Sequence, residues 1–381
     1  MPDTVHTDFL VIGGGIAGAS IAYFLAPHGR VTLLERESQP GYHTTGRSAA
    51  MFIESYGTPQ VRALTKASRA FFEHPPAGFT EQPILSPRGA LIIARPGQEE
   101  LLAQEWQLLH ALSPLAQRLD AAQTCAMLPA LRAQQVLGAI HAPDALDMDV
   151  HSLHQGYLRG LRRHGGQLVC NAEVLALTRS NAQWQVLAGE NTYQAGVIIN
   201  AAGAWCDQVA SLAGIAPIGL TPKRRSAFVF ASPAGVNCGH WPMCIGVDES
   251  WYMKPDAGQL LGSPANADPV PPQDVQPEEI DIALGLQRIE EMTHLQIRRP
   301  SRTWAGLRSF VADGDLVGGF DTAAPGFFWL AAQGGYGIQT SAAMGQACAA
   351  LVRGLPLPNA IADHGLTPEL LGPARLRAAL A

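Results

Sequence analysis

Three glycines carry the first chemistry of this chain. Gly13, Gly15 and Gly18 stand at G-x-G-x-x-G spacing, and Glu35 follows at the end of the next apolar run. That set suits a dinucleotide. The first glycine allows a tight turn, the second lets backbone approach a pyrophosphate, and the third lets a helix close on a strand. The acid accepts hydrogen bonds from a ribose. Such a turn works only between the right elements. The apolar run Phe9-Leu10-Val11-Ile12 reads as a buried strand entering the glycines. An apolar-periodic helix follows from Ile16 to about His28, and its N-terminus offers free N–H groups and a positive dipole end to phosphates. Val31–Leu34 reads as the second strand, ending at Glu35.

The rest of the composition frames a compact enzyme. The chain has 381 residues, long enough for two domains. Charged residues make up 15% and hydrophobic residues 47%, a globular balance. A net charge of −6 argues against a nucleic-acid partner. Lysine is confined to Lys66, Lys223 and Lys254, so most positive charge is arginine, which suits carboxylate recognition. The six cysteines form no C-x-x-C pair and read as reduced core residues of a cytoplasmic protein. The early first strand leaves no room for a signal peptide, and no apolar run reaches transmembrane length. Peripheral contact with an inner membrane stays open. His151 and His154, three apart near a helix start, read as structural, and no metal is expected.

Further elements interleave. Residues 59–73 read as a helix, 85–96 as a strand, and 98–128 as a helix with Leu101, Leu102, Trp106, Leu109 and Leu112 on one stripe. Residues 147–166 read as a helix, with strands expected at 167–178, 183–188 and 192–199. Strands at 225–231 and 241–264, with a hairpin turn at Gly258, suggest a second, mainly antiparallel sheet. A helix is expected at 276–293, and WAGLRSF at 304–310 reads as a strand or loop. The buried strand FFWLAAQ (327–333) runs into Gly334-Gly335-Tyr336-Gly337 and a closing helix. The expected fold is α/β: a Rossmann-like dinucleotide domain (1–84, 145–221 and 300–381) interleaved with a mainly antiparallel α+β substrate domain (85–144 and 222–299). Interleaving of that kind builds a ligand site at a domain interface.

Seven separated segments then resemble one family: GGGIAG at 13–18, LLERE at 33–37, GYHTTGRSAA at 41–50, NAAGAW at 200–205, PKRRSAF at 222–228, GLRSF at 306–310 and QGGYGIQTSAA at 333–343. Over essentially its whole length the chain resembles flavin-dependent enzymes of the D-amino-acid oxidase superfamily. It is most similar to bacterial D-amino-acid dehydrogenases, and among them to catabolic D-arginine dehydrogenases. The resemblance implies FAD, bound non-covalently, although His43 matches a position where some relatives attach flavin. It implies cofactor contacts from Gly13, Gly15, Ile16, Ala17, Gly18, Glu35 and Arg36. It adds His43, Thr44, Arg47, Ser48, Ala49 and Ala50 from the next loop, where an arginine suits a diphosphate. Val174, Ala202, Gly203, Trp205 and Arg308 complete the middle of the site. Gly334, Gly335, Tyr336, Gly337, Ile338, Gln339 and Thr340 come from the last glycine loop, whose helix start would stabilise negative charge on a reduced flavin.

A 2-amino acid needs a cationic clamp for its carboxylate, an acceptor for its amine, and a Cα–H aimed at flavin N5. The resemblance assigns the clamp to Arg225 and Arg308, in strand-like apolar surroundings where an unpaired charge is costly. Arg224 is expected on the opposite face of its strand. The resemblance adds Tyr56 and Tyr252 as active-site phenols and the Gly335 carbonyl as amine acceptor. It implies hydride transfer from Cα to flavin N5, an imino acid that hydrolyses to a 2-oxo acid and ammonia, and an electron acceptor of quinone or other carrier type. Oxidation of an L-2-hydroxy acid or an N-methyl amino acid by the same fold is the alternative. The chain departs from its nearest relatives in the substrate pocket. Ala90 replaces a guanidinium-binding glutamate and Met51 a histidine, with Ile53 nearby and Glu54 the only new acid in that loop. No replacement carboxylate is evident near Ala90, so apolar or aromatic D-amino acids are expected over D-arginine.

Overall fold

The computed structural model describes residues 4–377. Strand Thr4–Ile12 lies in the middle of an eight-stranded sheet. Parallel strands Val31–Leu34 and Gln167–Val169 follow on one side, and Asn191–Asn200 lies on the other. The far edge of Asn191–Asn200 is shared. Its first half takes the antiparallel strand Gln183–Ala188, and its last residues take the parallel strand Phe327–Ala331. Where the strands run side by side, Leu10–Ile12, Val31–Leu34 and Ile198–Ile199 are buried on both faces, as a parallel sheet covered on both sides requires.

Helices Ile16–Leu25, Pro59–Glu73, Val150–Arg163 and Gly337–Val352 supply one covering layer. They close a core that includes Leu25, Leu64, Tyr157, Leu161 and Phe328, all essentially inaccessible. Helix Cys206–Leu212 and Trp184, Ile198, Phe327 and Trp329 build the core on the opposite face. Each such side chain contributes roughly 1.5–3 kcal/mol by leaving water, which holds the glycine turn on a rigid frame.

The second sheet has nine strands and is mainly antiparallel. It contains Ala90–Ala94, Gly138–Ala142, Thr221–Phe230, Met243–Gly246, Tyr252–Asp256 and Gln259–Ser263. Its hairpin turn has Ala257 and Gly258 both at positive φ, 46° and 78°, as expected of a two-residue loop. Strand Arg302–Phe310 pairs along nearly the whole of Thr221–Phe230. That corrects the expected partition, which put 300–381 in the dinucleotide half: the long antiparallel ladder takes this strand into the second sheet.

Two further expectations change. Residues 98–128 are not one helix but helix Glu99–Leu112, strand Gln117–Asp120 and helix Ala121–Met127. Pro114 forces Ser113 into extended backbone and stops the first helix, and Asp120 with Gln123 forms a capping box that starts the second. Residues 85–96 split at Gly89, whose φ of 72° turns the chain. Leu85–Pro87 joins a three-stranded sheet with Met51–Phe52 and Leu146–Met148, and Ala90–Ala94 joins the large second sheet.

Candidate active site

The two sheets meet around one cavity of about 660 Å³. Gly13, Gly15, Ile16, Ala17 and Glu35 line one end, and Tyr56, Arg225, Tyr252 and Arg308 line the other. At the first end the backbone itself is the cradle. Gly13 has φ of 107°, and a Cβ there would strike the carbonyl of Ala201. A Cβ on Gly18 would overlap the Gly13 carbonyl, so Gly18 serves helix packing and lies off the cavity wall. The Glu35 carboxylate accepts from the amides of Gly14 and Glu37, both at 2.9 Å, and still faces the cavity. His154 donates from Nε2 to the Gly14 carbonyl at 2.9 Å and buttresses the same turn. This backbone hollow, with a ribose-type acid at its rim, fits a dinucleotide.

The loop after the second strand crosses the middle of the cavity. His43, Thr44, Arg47, Ser48, Ala49 and Ala50 all line it. Thr44 Oγ1 donates to the Leu307 carbonyl at 2.7 Å, and Trp304 Nε1 donates to the Arg47 carbonyl at 3.0 Å. The Arg47 guanidinium is directed to the carbonyls of Val275 and Ala305 and to Asp274. It therefore ties the loop to the second sheet, where sequence reasoning expected it to face a diphosphate. His43 Nε2 lies 2.9 Å from Glu37 Oε1, and its ring packs 4.7 Å from Trp205. The Arg36 guanidinium also packs over Trp205, 5.2 Å from its ring. Lys254, which sequence reasoning passed over, is buried. It donates to the Ala49 carbonyl at 3.2 Å while paired with Asp147, which also receives Arg88.

Strand alternation builds the second end. Arg225 pairs across from Gly306, and Lys223 from Arg308, so both site arginines share one face. Arg225 Nε donates to the Asn266 carbonyl at 2.6 Å, and Arg308 Nη2 donates to Tyr56 Oη at 3.4 Å. Neither guanidinium has a carboxylate within 4 Å among the described residues, and both face the cavity. Burial, and then the neighbouring Arg308 charge, push the Arg225 guanidinium below its usual range. Arg308 is flanked by the rings of Phe310 and Tyr336, at 5.4 and 6.0 Å. Its guanidinium presses on Gly335 so closely that a Cβ there would collide with it. Two adjacent cations without a counter-ion, facing one cavity, are built to receive an anion.

Most of the remaining expected residues are placed on this cavity. Arg36, Val174, Ala202, Gly203, Trp205, Gly334, Gly335, Gly337, Ile338 and Gln339 line it. The Gln339 amide is occupied, accepting from the Ile53 amide and donating to Thr65 Oγ1. Tyr336 and Thr340 stand off the wall: Tyr336 packs edge-on to Tyr56, and Thr340 bonds back to the Tyr336 carbonyl. Met51, Ile53 and Ala90 come together with Ala142 and Ala145 as an apolar patch. Ile92, Met243 and Ile245 extend that wall. Ala90 itself keeps only apolar partners in that patch. Glu105 and Glu249, distant in sequence, both line the cavity, whereas Glu54 is consumed by Arg69. No spacing rule connects residues 105 and 249; only the sheet brings them to one wall.

A sheet-borne glycine turn, a ribose-type acid and a cationic pocket in one cavity fit a dinucleotide-dependent enzyme that takes an anionic substrate. A family model described as FAD dependent oxidoreductase, DAO, matches residues 8–351. The chain belongs to that family, and FAD is its cofactor. FAD-dependent oxidoreductase domain-containing protein 1 of Bos taurus is 22% identical over 418 residues, covering 92% of this chain and 83% of the relative. L-proline dehydrogenase from P. horikoshii superposes with a TM-score of 0.82 at 19% identity, covering 100% of this chain and 99% of its own. Glycine oxidase from Geobacillus kaustophilus gives 0.79 at 20%, covering 92% and 96%. Among the described residues no helix is long and apolar enough to cross a membrane.

Proposed function

We propose that this protein oxidises D-2-amino acids to imino acids, which water converts to 2-oxo acids and ammonia. The observation that carries the reading is the Arg225–Arg308 pair facing the cavity without a carboxylate partner. The planar forks clamp the substrate carboxylate, and the phenols of Tyr56 and Tyr252 add donors while shielding the site from water. The carbonyl of Gly335, beside Arg308, accepts a hydrogen bond from the substrate amine. Bound FAD supplies the two-electron acceptor for the hydride that leaves Cα. The amine enters neutral, and its lone pair forms the C=N bond as the hydride departs. No protein base is needed for that step. Met51, Ile53, Ala90, Ile92 and Ile245 present an apolar surface to the first carbons of the side chain. Relatives whose names refer to glycine and L-proline support an amine donor. Handedness comes from the resemblance of PKRRSAF and GLRSF to the D-amino-acid enzymes.

The test is anaerobic mixing of the yellow holoprotein with single D- and L-amino acids. Loss of the flavin band at ~450 nm with D forms alone supports the reading. Bleaching by L-2-hydroxy acids or N-methyl amino acids, with no response to any D-amino acid, overturns it in favour of the alternative substrate class.

A further inference from the structure

Behind Arg225 runs a loop that stitches itself to the arginine and to the residue after it. Residues 264–267 join strand Gln259–Ser263 to the short strand Asp268–Pro269, which pairs with Lys223–Arg224. Ser263 Oγ donates to the Ser226 carbonyl at 2.7 Å and accepts from the Ala265 amide at 3.0 Å. Ala265 then takes a φ of 52°, a conformation that side-chain-bearing residues rarely adopt. Beyond that turn the Asn266 carbonyl accepts from Arg225 Nε at 2.6 Å.

The Asn266 side chain holds the turn in this shape. Its Oδ1 accepts from the Ser226 amide at 2.8 Å, and its Nδ2 donates to Asp268 at 2.7 Å and to Asp281 at 3.0 Å. Those partners demand one acceptor and two donors, which a primary amide supplies. Asp281 is buried and also accepts from Ser226 Oγ at 2.9 Å, so the far end of the network is fixed. Ala265 and Arg225 line the cavity, whereas Asn266 does not. Whatever Asn266 does for a substrate, it does through Arg225.

The bond to Nε has two consequences. An arginine side chain has much rotamer freedom, and freezing it only when a ligand arrives weakens binding. The Asn266 carbonyl freezes it beforehand. With Nε taken, the terminal edge of the fork, Nη1 and Nη2, is the edge offered to a carboxylate. Arg308 has no such backbone anchor: its guanidinium bonds the Tyr56 hydroxyl and is otherwise held by the rings of Phe310 and Tyr336. We propose that Asn266 is a positioning residue for Arg225, setting the guanidinium so that its terminal edge receives the substrate carboxylate. The inference rests on the carboxylate clamp proposed above.

The experiment uses FAD-loaded protein and two probes that lack an amine on Cα, hexanoate and the uncharged hexanamide, in calorimetric titrations. Native protein is expected to favour hexanoate by about a hundredfold. Asn266→Ala should weaken hexanoate about tenfold and leave hexanamide within about twofold. Combined with Arg225→Ala, the same substitution should change hexanoate binding by less than about twofold, because the group it acts through is gone. A merely structural asparagine would move both probes alike, with or without Arg225. Full hexanoate affinity in Asn266→Ala, an equal loss for hexanamide, or an equal loss in the Arg225→Ala background overturns the positioning role and leaves the clamp standing. A native protein that does not prefer hexanoate to hexanamide overturns the clamp as well. Should Asn266→Ala not fold, Ser263→Ala loosens the same turn and is read in the same cycle, with an expected loss of about threefold for hexanoate alone. No loss there, or one that persists without Arg225, overturns the proposal.

Discussion

Arg224 and Arg225 are neighbours on one strand with opposite surroundings. Arg224 points to the outer face, where Glu278, Asp281 and Asp268 surround its guanidinium. Arg225 points to the cavity, where it meets one backbone carbonyl, two phenols and another arginine. The folded chain neutralises one charge completely and leaves the next one waiting. Since burying a cation without a partner costs stability, Arg225 is explained by what binds to it and not by what it holds together. A similar contrast separates two half-buried acids: Glu54 is paired with Arg69, while Glu105 faces the cavity unpaired.

The largest expected effect breaks the contrast on its cavity side. Arg308→Ala or Arg225→Ala should lower kcat/KM by roughly a hundred- to a thousandfold, the range for removing one partner of a desolvated charge pair. Flavin content and melting temperature of Arg225→Ala should be unchanged or slightly raised, because an uncompensated cation is gone. Stopped-flow reduction and thermal melts check both halves. A variant that melts far below the native protein would show the arginine to be structural after all.

The outer face should give the reverse. Arg224→Met leaves Asp281, which accepts from Ser226 and Asn266, without its cation. A loss of about 3 kcal/mol is expected in denaturant titration, with kcat/KM of the surviving folded protein within about twofold of native. A kinetic loss as large as that of Arg225→Ala would dissolve the distinction between the two faces.

Between these lies the loop that carries Ser48, Ala49 and Ala50. Lys254→Met removes the donor to the Ala49 carbonyl and leaves Asp147 with Arg88 alone. FAD should bind about tenfold more weakly, read from flavin released on dilution, with a smaller change in the KM of the amino acid. An unchanged flavin affinity would show that the loop is held by Arg47 and Thr44 without the lysine.

The two ends of the cavity also differed in how far they could be read before any coordinates. The glycine turn is local: strand, turn, helix and Glu35 follow one another within thirty residues, so periodicity and glycine spacing suffice. The arginine clamp joins strands separated by some eighty residues, and the residues alone showed only two arginines in apolar runs; the resemblance paired them. Glu105 and Glu249 were missed because a helix and a turn from different stretches meet there only through the sheet order. Residues 98–128 were read as one helix because the leucine stripe outweighed Pro114, although the Asp120–Gln123 capping box was present as a second start signal. Arg47 was sent to a phosphate by its small neighbours, but the carbonyls that receive it, Val275 and Ala305, are backbone groups that no residue pattern reveals.

The smallest expected effect sharpens the comparison at the dinucleotide end, where the protein satisfies every charge it buries. His154 sits buried against Gly41 and donates to the Gly14 carbonyl. Burial holds its pKa below the ordinary histidine value, while the bond to Gly14 opposes the shift. The folded state thus keeps the ring neutral when the unfolded chain, with an ordinary pKa near 6.5, takes up a proton. The contribution of His154 to stability is therefore full above about pH 6.5 and is lost as the pH falls toward the depressed folded value. Protonation at Nδ1 leaves the Nε2 donor intact, so the loss comes from burying a charge and not from breaking the bond. His154→Gln can keep a donor to Gly14 but cannot titrate. The difference in melting temperature between native protein and variant should narrow steadily from about pH 7.5 to pH 5.5. His28 and His141, whose pKa values are also lowered, titrate in both proteins and cancel in that difference. A gap that stays constant over this range would mean that the ring takes its proton in place, and that the glycine turn tolerates a buried charge as the arginine end does.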